Sequence, residues 1–137
     1  MKWSTRGHPP AGIDRRRAER VKLRTRVTLR LDNPLTEGRI ARPAETRDLS
    51  LLGARIATRH LVRPGQRMDV VIPTRGAPAE FALPDRLCGQ AVVERVEQKN
   101  GIREAALRFG PALAQSMEYA MFIAYRLGAR PEPSPTY

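Results

Sequence analysis

RRRAERVKLR at residues 15–24 and DLSLLG at residues 48–53 stand on either side of a run with strand-like alternation. In the first motif, Arg20 and Arg24 lie four residues apart at the end of a basic arm. Each guanidinium group presents a planar fork of donors that fits a phosphate or the O6/N7 edge of guanine. The first motif therefore indicates an anion site.

The second motif supplies complementary groups. The carboxylate of Asp48 can accept from the N1 and N2 donors of guanine, and the hydroxyl of Ser50 can reach a phosphate. Gly53 permits a backbone turn that other residues resist. Taken alone, the motif is better explained as an ordinary turn whose side chains bond their own backbone. Together the two motifs favour a guanine nucleotide, since adenine would offer Asp48 the wrong donors.

Alternation of apolar residues predicts the elements around these motifs. It begins after Arg24, where Val27, Leu29 and Leu31 share one face. Asn100-Gly101 is the dipeptide of a tight hairpin between the last two strands. Six short strands without intervening helices predict a mainly β fold, a small six-stranded antiparallel barrel of the split or Greek-key type. The predicted strands are 24–31, 46–49, 54–57, 68–72, 87–97 and 102–109.

A helix is predicted after the strands, over about residues 112–127. Its second half is apolar around more than one face, which favours a helix that plugs the barrel mouth and leaves a homodimer contact as the alternative. Residues 73–85 predict a loop in which 80–83 pair at an edge. The expected apolar stripe of the helix consists of Leu113, Met117, Ala120, Met121, Ala124 and Leu127.

The two motifs in this order resemble the signature of the PilZ domain family. That signature is Arg-x-x-x-Arg followed by Asp/Asn-x-Ser/Ala-x-x-Gly, and the sequence matches it at residues 20–24 and 48–53. The resemblance extends from about Arg15 to Leu127. It implies a barrel that binds cyclic di-GMP, a bacterial second messenger with two guanines and two phosphates in one ring.

The resemblance also implies a role for each matching residue. The arginine pair would clasp guanine and phosphate, and the second motif would hold a guanine edge and a phosphate from the barrel surface. Arg16 and Arg20 also satisfy the arginine spacing, but Arg24 directly precedes the alternating strand, so we assign the pair to Arg20 and Arg24. Upstream arginines would suit a stacked pair of ligands. The expected contacts are Arg20, Arg24, Asp48, Ser50 and Gly53, with Arg15, Arg16 and Arg17 as possible additions.

Composition narrows the class of protein. A chain of 137 residues with 41% hydrophobic content is compatible with one domain, which we place at 15–128 between a flexible lead, 1–14, and a disordered tail, 129–137. The net charge is +11, and the first 30 residues hold ten Lys or Arg against two Asp or Glu. Such an arm attracts nucleotides, nucleic acid or anionic lipid alike.

Other residue types argue against several functions. Cys88 is the single cysteine, so we expect no intramolecular disulfide and a reducing compartment. His8 and His60 lack the partners of a catalytic or metal site, and we expect neither an enzyme, a metal nor a cofactor. We find no signal peptide and no run near the ~20 apolar residues of a membrane span, which predicts a cytoplasmic protein.

Three hypotheses follow. In the first, the protein is a cyclic di-GMP receptor whose mobile arm, residues 15–24, orders over the ligand and alters contacts with a downstream protein. In the second, it is a small basic nucleic-acid binder that uses the arm on backbone phosphates. In the third, it is a PilZ-like adaptor that binds no nucleotide and works through protein contacts alone.

Overall fold

The structure, a computed structural model, describes residues 20–33, 35 and 38–128. Within them, six antiparallel strands form a closed barrel in the order β1-β2-β3-β6-β5-β4, and β4 returns to β1. The predicted barrel is confirmed. The lead at 1–14, the tail at 129–137 and Arg15–Arg17 lie outside the described residues. The strands are β1 (Arg26–Asp32), β2 (Arg39–Leu49), β3 (Gly53–Thr58), β4 (Arg67–Pro73), β5 (Arg86–Lys99) and β6 (Ile102–Phe109).

Alternating side chains fill the barrel as predicted. Val27, Leu29 and Leu31 on β1 are buried in the core. The hairpin between β5 and β6 turns at Asn100 and Gly101, where φ is 53° and 78°. Positive φ at both positions is the geometry that an Asn-Gly turn supplies at low cost.

Two parts of the strand prediction are wrong. β2 begins at Arg39 rather than Thr46, and it passes through Pro43. The proline is tolerated because β3 pairs with β2 only from Glu45 onward. On the side of β2 that faces β3, Pro43 therefore has no partner among the described strands that would need its missing N–H. Residues 80–83 do not form an edge strand; a 3-10 helix spans Ala79–Phe81 instead.

The predicted single helix is two helices, α1 (Pro111–Ala114) and α2 (Met117–Gly128). Ser116 breaks the run, because its hydroxyl accepts from the N–H of Tyr119 at 3.0 Å and caps a new helix. The predicted stripe is right at its ends, since Leu113 is buried and Leu127 packs against the core. It is wrong between them, because the break shifts the helical phase and leaves Met117 73% exposed. The other buried residues of the helices are Tyr119, Phe122 and Ile123.

The helices pack on the barrel through these residues, which belong to the same apolar cluster as the strands. This agrees with the favoured interpretation of the helix as a cover for the barrel. In the part of the chain that the structure describes, no helix is long and apolar enough to cross a membrane.

Candidate functional site

A β-bulge places Asp48 on the outer face of the barrel. Thr46 of β2 lies opposite Ile56 of β3, whereas Asp48 lies opposite Arg55, so Arg47 is an extra residue without a partner in the pairing of β2 with β3. In a regular strand Asp48 would share the inward direction of Thr46, which is buried. The extra residue reverses that phase. Asp48 consequently projects from the sheet at the end of β2.

The carboxylate of Asp48 lies between two arginines. Its Oδ1 is 2.5 Å from Nη1 of Arg20, and its Oδ2 is 3.8 Å from Nη1 of Arg55. The Asp48 side chain is only 10% exposed, whereas those of Arg20 and Arg55 are 47% and 48% exposed. The acceptor is thus shielded and fixed, while its cationic partners extend into solvent.

The ion pairs continue across three strands as a chain that we call the arginine ladder. Arg55 pairs with Glu104 of β6 at 3.1 Å, and Glu104 contacts Arg47 at 3.6 Å. Arg47 then reaches Glu45 at 3.0 Å, and Arg24 lies 4.0 Å from the same carboxylate. The ladder therefore links both arginines of the first motif to one outer surface. In order, its members are Arg20, Asp48, Arg55, Glu104, Arg47, Glu45 and Arg24.

The chain before β1 is fastened to the end of β2. Val21 is buried, and it exchanges backbone hydrogen bonds of 2.7 and 2.9 Å with Leu49. The buried hydroxyl of Thr46 donates to the carbonyl of Leu23 and accepts from the N–H of Thr25 at 3.0 Å. We expected the whole arm, residues 15–24, to be mobile. For its C-terminal part this expectation is wrong, because residues from Arg20 onward are held against the barrel.

The turn between β2 and β3 differs from the expected ligand cradle. The hydroxyl of Ser50 accepts from the N–H of Gly53 at 3.2 Å, and Ser50 is 4% exposed. The hydroxyl therefore points into the turn, as in the alternative interpretation of a self-bonded turn. Asp48 at the end of β2 and Ser50 in the turn are only two residues apart, but only the carboxylate contacts the arginines.

Gly53 is required for space rather than for an unusual backbone angle. A Cβ at this position would lie 2.1 Å from the carbonyl oxygen of Leu107 on β6. Among the described glycines, positive φ occurs at Gly65, Gly76 and Gly101, and Gly53 begins β3 as an ordinary strand residue. The glycine thus lets β3 and β6 approach closely behind the turn.

Tyr119 of α2 supports this turn from the inside. Its hydroxyl donates to the carbonyl of Ser50 at 2.6 Å, and its ring packs edge-on against Phe109 with centroids 5.5 Å apart. Burial raises the pKa of Tyr119 well above its usual value, and the positive charge of Arg20 opposes that rise. The phenol therefore stays protonated and acts as a donor.

The structure brings Arg20, Asp48, Ser50 and Gly53 to one end of the barrel and places Arg24 at the other end of the arginine ladder. Sequence reasoning missed Arg55 and Tyr119. Arg55 could have been found from the sequence, because a tight turn between β2 and β3 places it opposite Asp48. Tyr119 could not, since its partner is a backbone carbonyl 69 residues away.

Comparisons with known proteins agree with this fold. A family model described as "PilZ domain" matches residues 14–118. No curated protein matches the chain. Among solved structures, the PilZ domain of CeSA from a cellulose synthesizing bacterium has a TM-score of 0.50 at 17% identity, over 82% of this chain and 98% of that one.

Two further solved structures are of YcgR from Escherichia coli. Its PilZ domain with c-di-GMP has a TM-score of 0.55 at 13% identity, covering 88% of this chain and 99% of that one. YcgR in complex with c-di-GMP has a TM-score of 0.53 at 16% identity, covering 84% of this chain and 48% of that one. Identities this low establish likeness of fold.

Proposed function

Because this chain belongs to the PilZ domain family, we propose that it is a receptor for cyclic di-GMP and has no catalytic function. The observation that carries the proposal is the shielded carboxylate of Asp48 on the outer face, between Arg20 and Arg55. A fixed acceptor beside guanidinium donors matches guanine, whose donors at N1 and N2 lie on a different edge from its O6/N7 acceptors.

Binding would proceed by exchange of partners. The guanine N1 and N2 donors replace Arg20 at Asp48, and the released guanidinium turns toward a phosphate or the O6/N7 edge. The Arg20 side chain is 47% exposed and can return to water, but Asp48 is only 10% exposed, so the guanine donors must take the place of the guanidinium to keep the shielded carboxylate paired. Arg24, whose contact with Glu45 is longer still, is equally free to move to the ligand.

Charge favours an anionic ligand at this surface. The arginine ladder contains four arginines and three carboxylates, and the exposed Lys22 lies between Arg20 and Arg24. The surface is therefore positive before any residue upstream of Arg20 is counted. In this proposal Ser50 and Gly53 act mainly by holding the turn, since the Ser50 hydroxyl is engaged there.

The signal would arise from the part of the arm that precedes Arg20. Residues 15–17 carry three arginines that can add contacts to the ligand, and their ordering would change the surface offered to a downstream protein in the cytoplasm. Segmental NMR labelling tests this step. Arm resonances that keep their intensities and shifts at saturating cyclic di-GMP would contradict it.

Calorimetric titration with cyclic di-GMP near physiological salt tests the receptor function itself. We expect saturable heat with the wild type and with Arg30→Ala, a control that removes an exposed arginine of β1 facing Asp69 of β4. We expect Asp48→Ala and Arg24→Ala each to weaken binding at least tenfold, as loss of charge-assisted hydrogen bonds predicts.

The same titration separates the alternatives. Binding that is unchanged in Asp48→Ala would refute the proposed site. A folded wild type that gives no heat with nucleotide would leave an adaptor or a nucleic-acid binder. The nucleic-acid binder would bind many DNA sequences with an affinity that falls steeply with salt, and Asp48→Ala would leave that affinity unchanged or raise it.

A further inference from the structure

Asp48 begins a row of cross-strand neighbours that crosses four strands of the barrel. It lies opposite Arg55 of β3, Arg55 lies opposite Ala106 of β6, and Ala106 lies opposite Arg95 of β5. We call these four residues the outer row. Adjacent strands are about 4.8 Å apart, so the row extends roughly 14 Å from Asp48 to Arg95.

Both ends of the outer row depend on a β-bulge. In β5, Val93 lies opposite Leu107 while Arg95 lies opposite Ala106, which makes Glu94 an extra residue. Without it Arg95 would share the inward direction of buried Val93. The β2 bulge does the same for Asp48. The rows on either side face the core: Leu49, Ala54, Leu107 and Val93 on one, and Thr46, Ile56, Ala105 and Val96 on the other.

A notch of about 210 Å³ opens in the middle of the outer row. Arg55 and Arg95 stand on two sides of it, and Ala106 between them contributes a single methyl group to its floor. The two arginines are two strand spacings apart, about 10 Å, so both guanidinium groups can reach one bound group. Glu97 and Glu104 also line the notch.

Arg95 has no ion-pair partner among the described residues, although two carboxylates line the same notch. Arg55, by contrast, is shared between Asp48 and Glu104. Arg95 is solvent-exposed, and the bulge turns it toward the notch above Ala106. Because its N–H donors have no carboxylate partner in the described part of the chain, they are available to a ligand. Bulges are enriched beside functional sites.

We propose that the outer row is the second half of the nucleotide site, an inference that rests on the proposed function. Asp48 holds one guanine, and Arg55 and Arg95 receive the other nucleotide unit over Ala106. Their forks suit the acceptors of that unit, either its phosphate oxygens or its O6/N7 edge. The length of the row exceeds that of one base and fits a ligand with two nucleotide units.

Arg95→Ala is the discriminating variant, because Arg95 contacts no carboxylate whose loss would disturb Asp48. We expect calorimetry to show about tenfold weaker binding of cyclic di-GMP, while Arg30→Ala binds as the wild type does. Ala106→Glu should weaken binding further by filling the notch with negative charge. Thermal melting of each variant checks that the barrel is folded.

Arg95→Lys distinguishes the two acceptors. Lysine keeps the charge and loses the planar fork, so near-wild-type affinity identifies phosphate as the partner, and a loss equal to that of Arg95→Ala identifies the guanine edge. If folded Arg95→Ala and Ala106→Glu both bind like the wild type while Asp48→Ala does not, this inference is wrong and the receptor function stands. Absence of binding by the wild type would overturn both.

Discussion

Tyr119→Phe removes one hydroxyl and keeps the buried ring that packs on Phe109. The carbonyl of Ser50 then loses its donor at 2.6 Å in a site that water does not reach, since Ser50 and Tyr119 are 4% and 0% exposed. An unsatisfied buried acceptor costs about 1–3 kcal/mol. For a chain of this size that loss corresponds to a fall in Tm of about 4–12 °C.

Tyr125→Phe is the matched control, because it is the same chemical change in the same helix. The Tyr125 hydroxyl donates to the carbonyl of Gly76 at 3.0 Å, but that pair is exposed and water can replace the lost donor. We expect a change within about 0.5 kcal/mol.

Urea unfolding followed by circular dichroism measures the stability of both variants. Their midpoint urea concentrations can be compared directly if the unfolding free energy of each depends on urea with the same slope. We expect a clearly lower urea midpoint for Tyr119→Phe than for Tyr125→Phe. Equal midpoints for the two variants would refute the idea that the turn carrying the candidate site depends on α2.

Two further substitutions test how the site is built. Gly53→Ala should destabilise the fold by roughly 1–3 kcal/mol or more because its Cβ would lie 2.1 Å from the Leu107 carbonyl, whereas Gly128→Ala, with nothing within 4 Å, should be near neutral in thermal melting. Thr46→Val should free the segment before β1 and speed amide exchange at Val21 and Leu49, while Thr28→Val, whose hydroxyl makes no hydrogen bond among the described residues, should leave these amides protected.

The barrel was predictable because its signals are local. The alternation of Val27, Leu29 and Leu31 needs only a pleated strand with one buried face, and Asn100-Gly101 closes a hairpin by its own backbone preferences. The helix was predicted less well, because a periodic run of apolar residues does not reveal where a cap divides it. Ser116 did so and moved the buried face onto Tyr119.

The site was predictable as a pair of motifs and not as an arrangement. The residue types of Arg20 and Asp48 indicate a guanine nucleotide, and the structure adds that the two contact each other. The expected roles of Ser50 and Gly53 in a ligand cradle were assigned from residue type and from the resemblance to the PilZ signature. In the structure the Ser50 hydroxyl points into the turn. Gly53 is needed because β6 passes so close that a side chain would not fit, which only the tertiary structure reveals.

By itself the sequence determined six strands, their closing helical segment and the two motifs, since these depend on residues near one another in the chain. The tertiary structure alone decided which faces the site residues occupy and what lies beside them. Register is the physical reason: one extra residue at each of two bulges turns Asp48 and Arg95 outward, and pairing through β3 and β6 then sets them in one row.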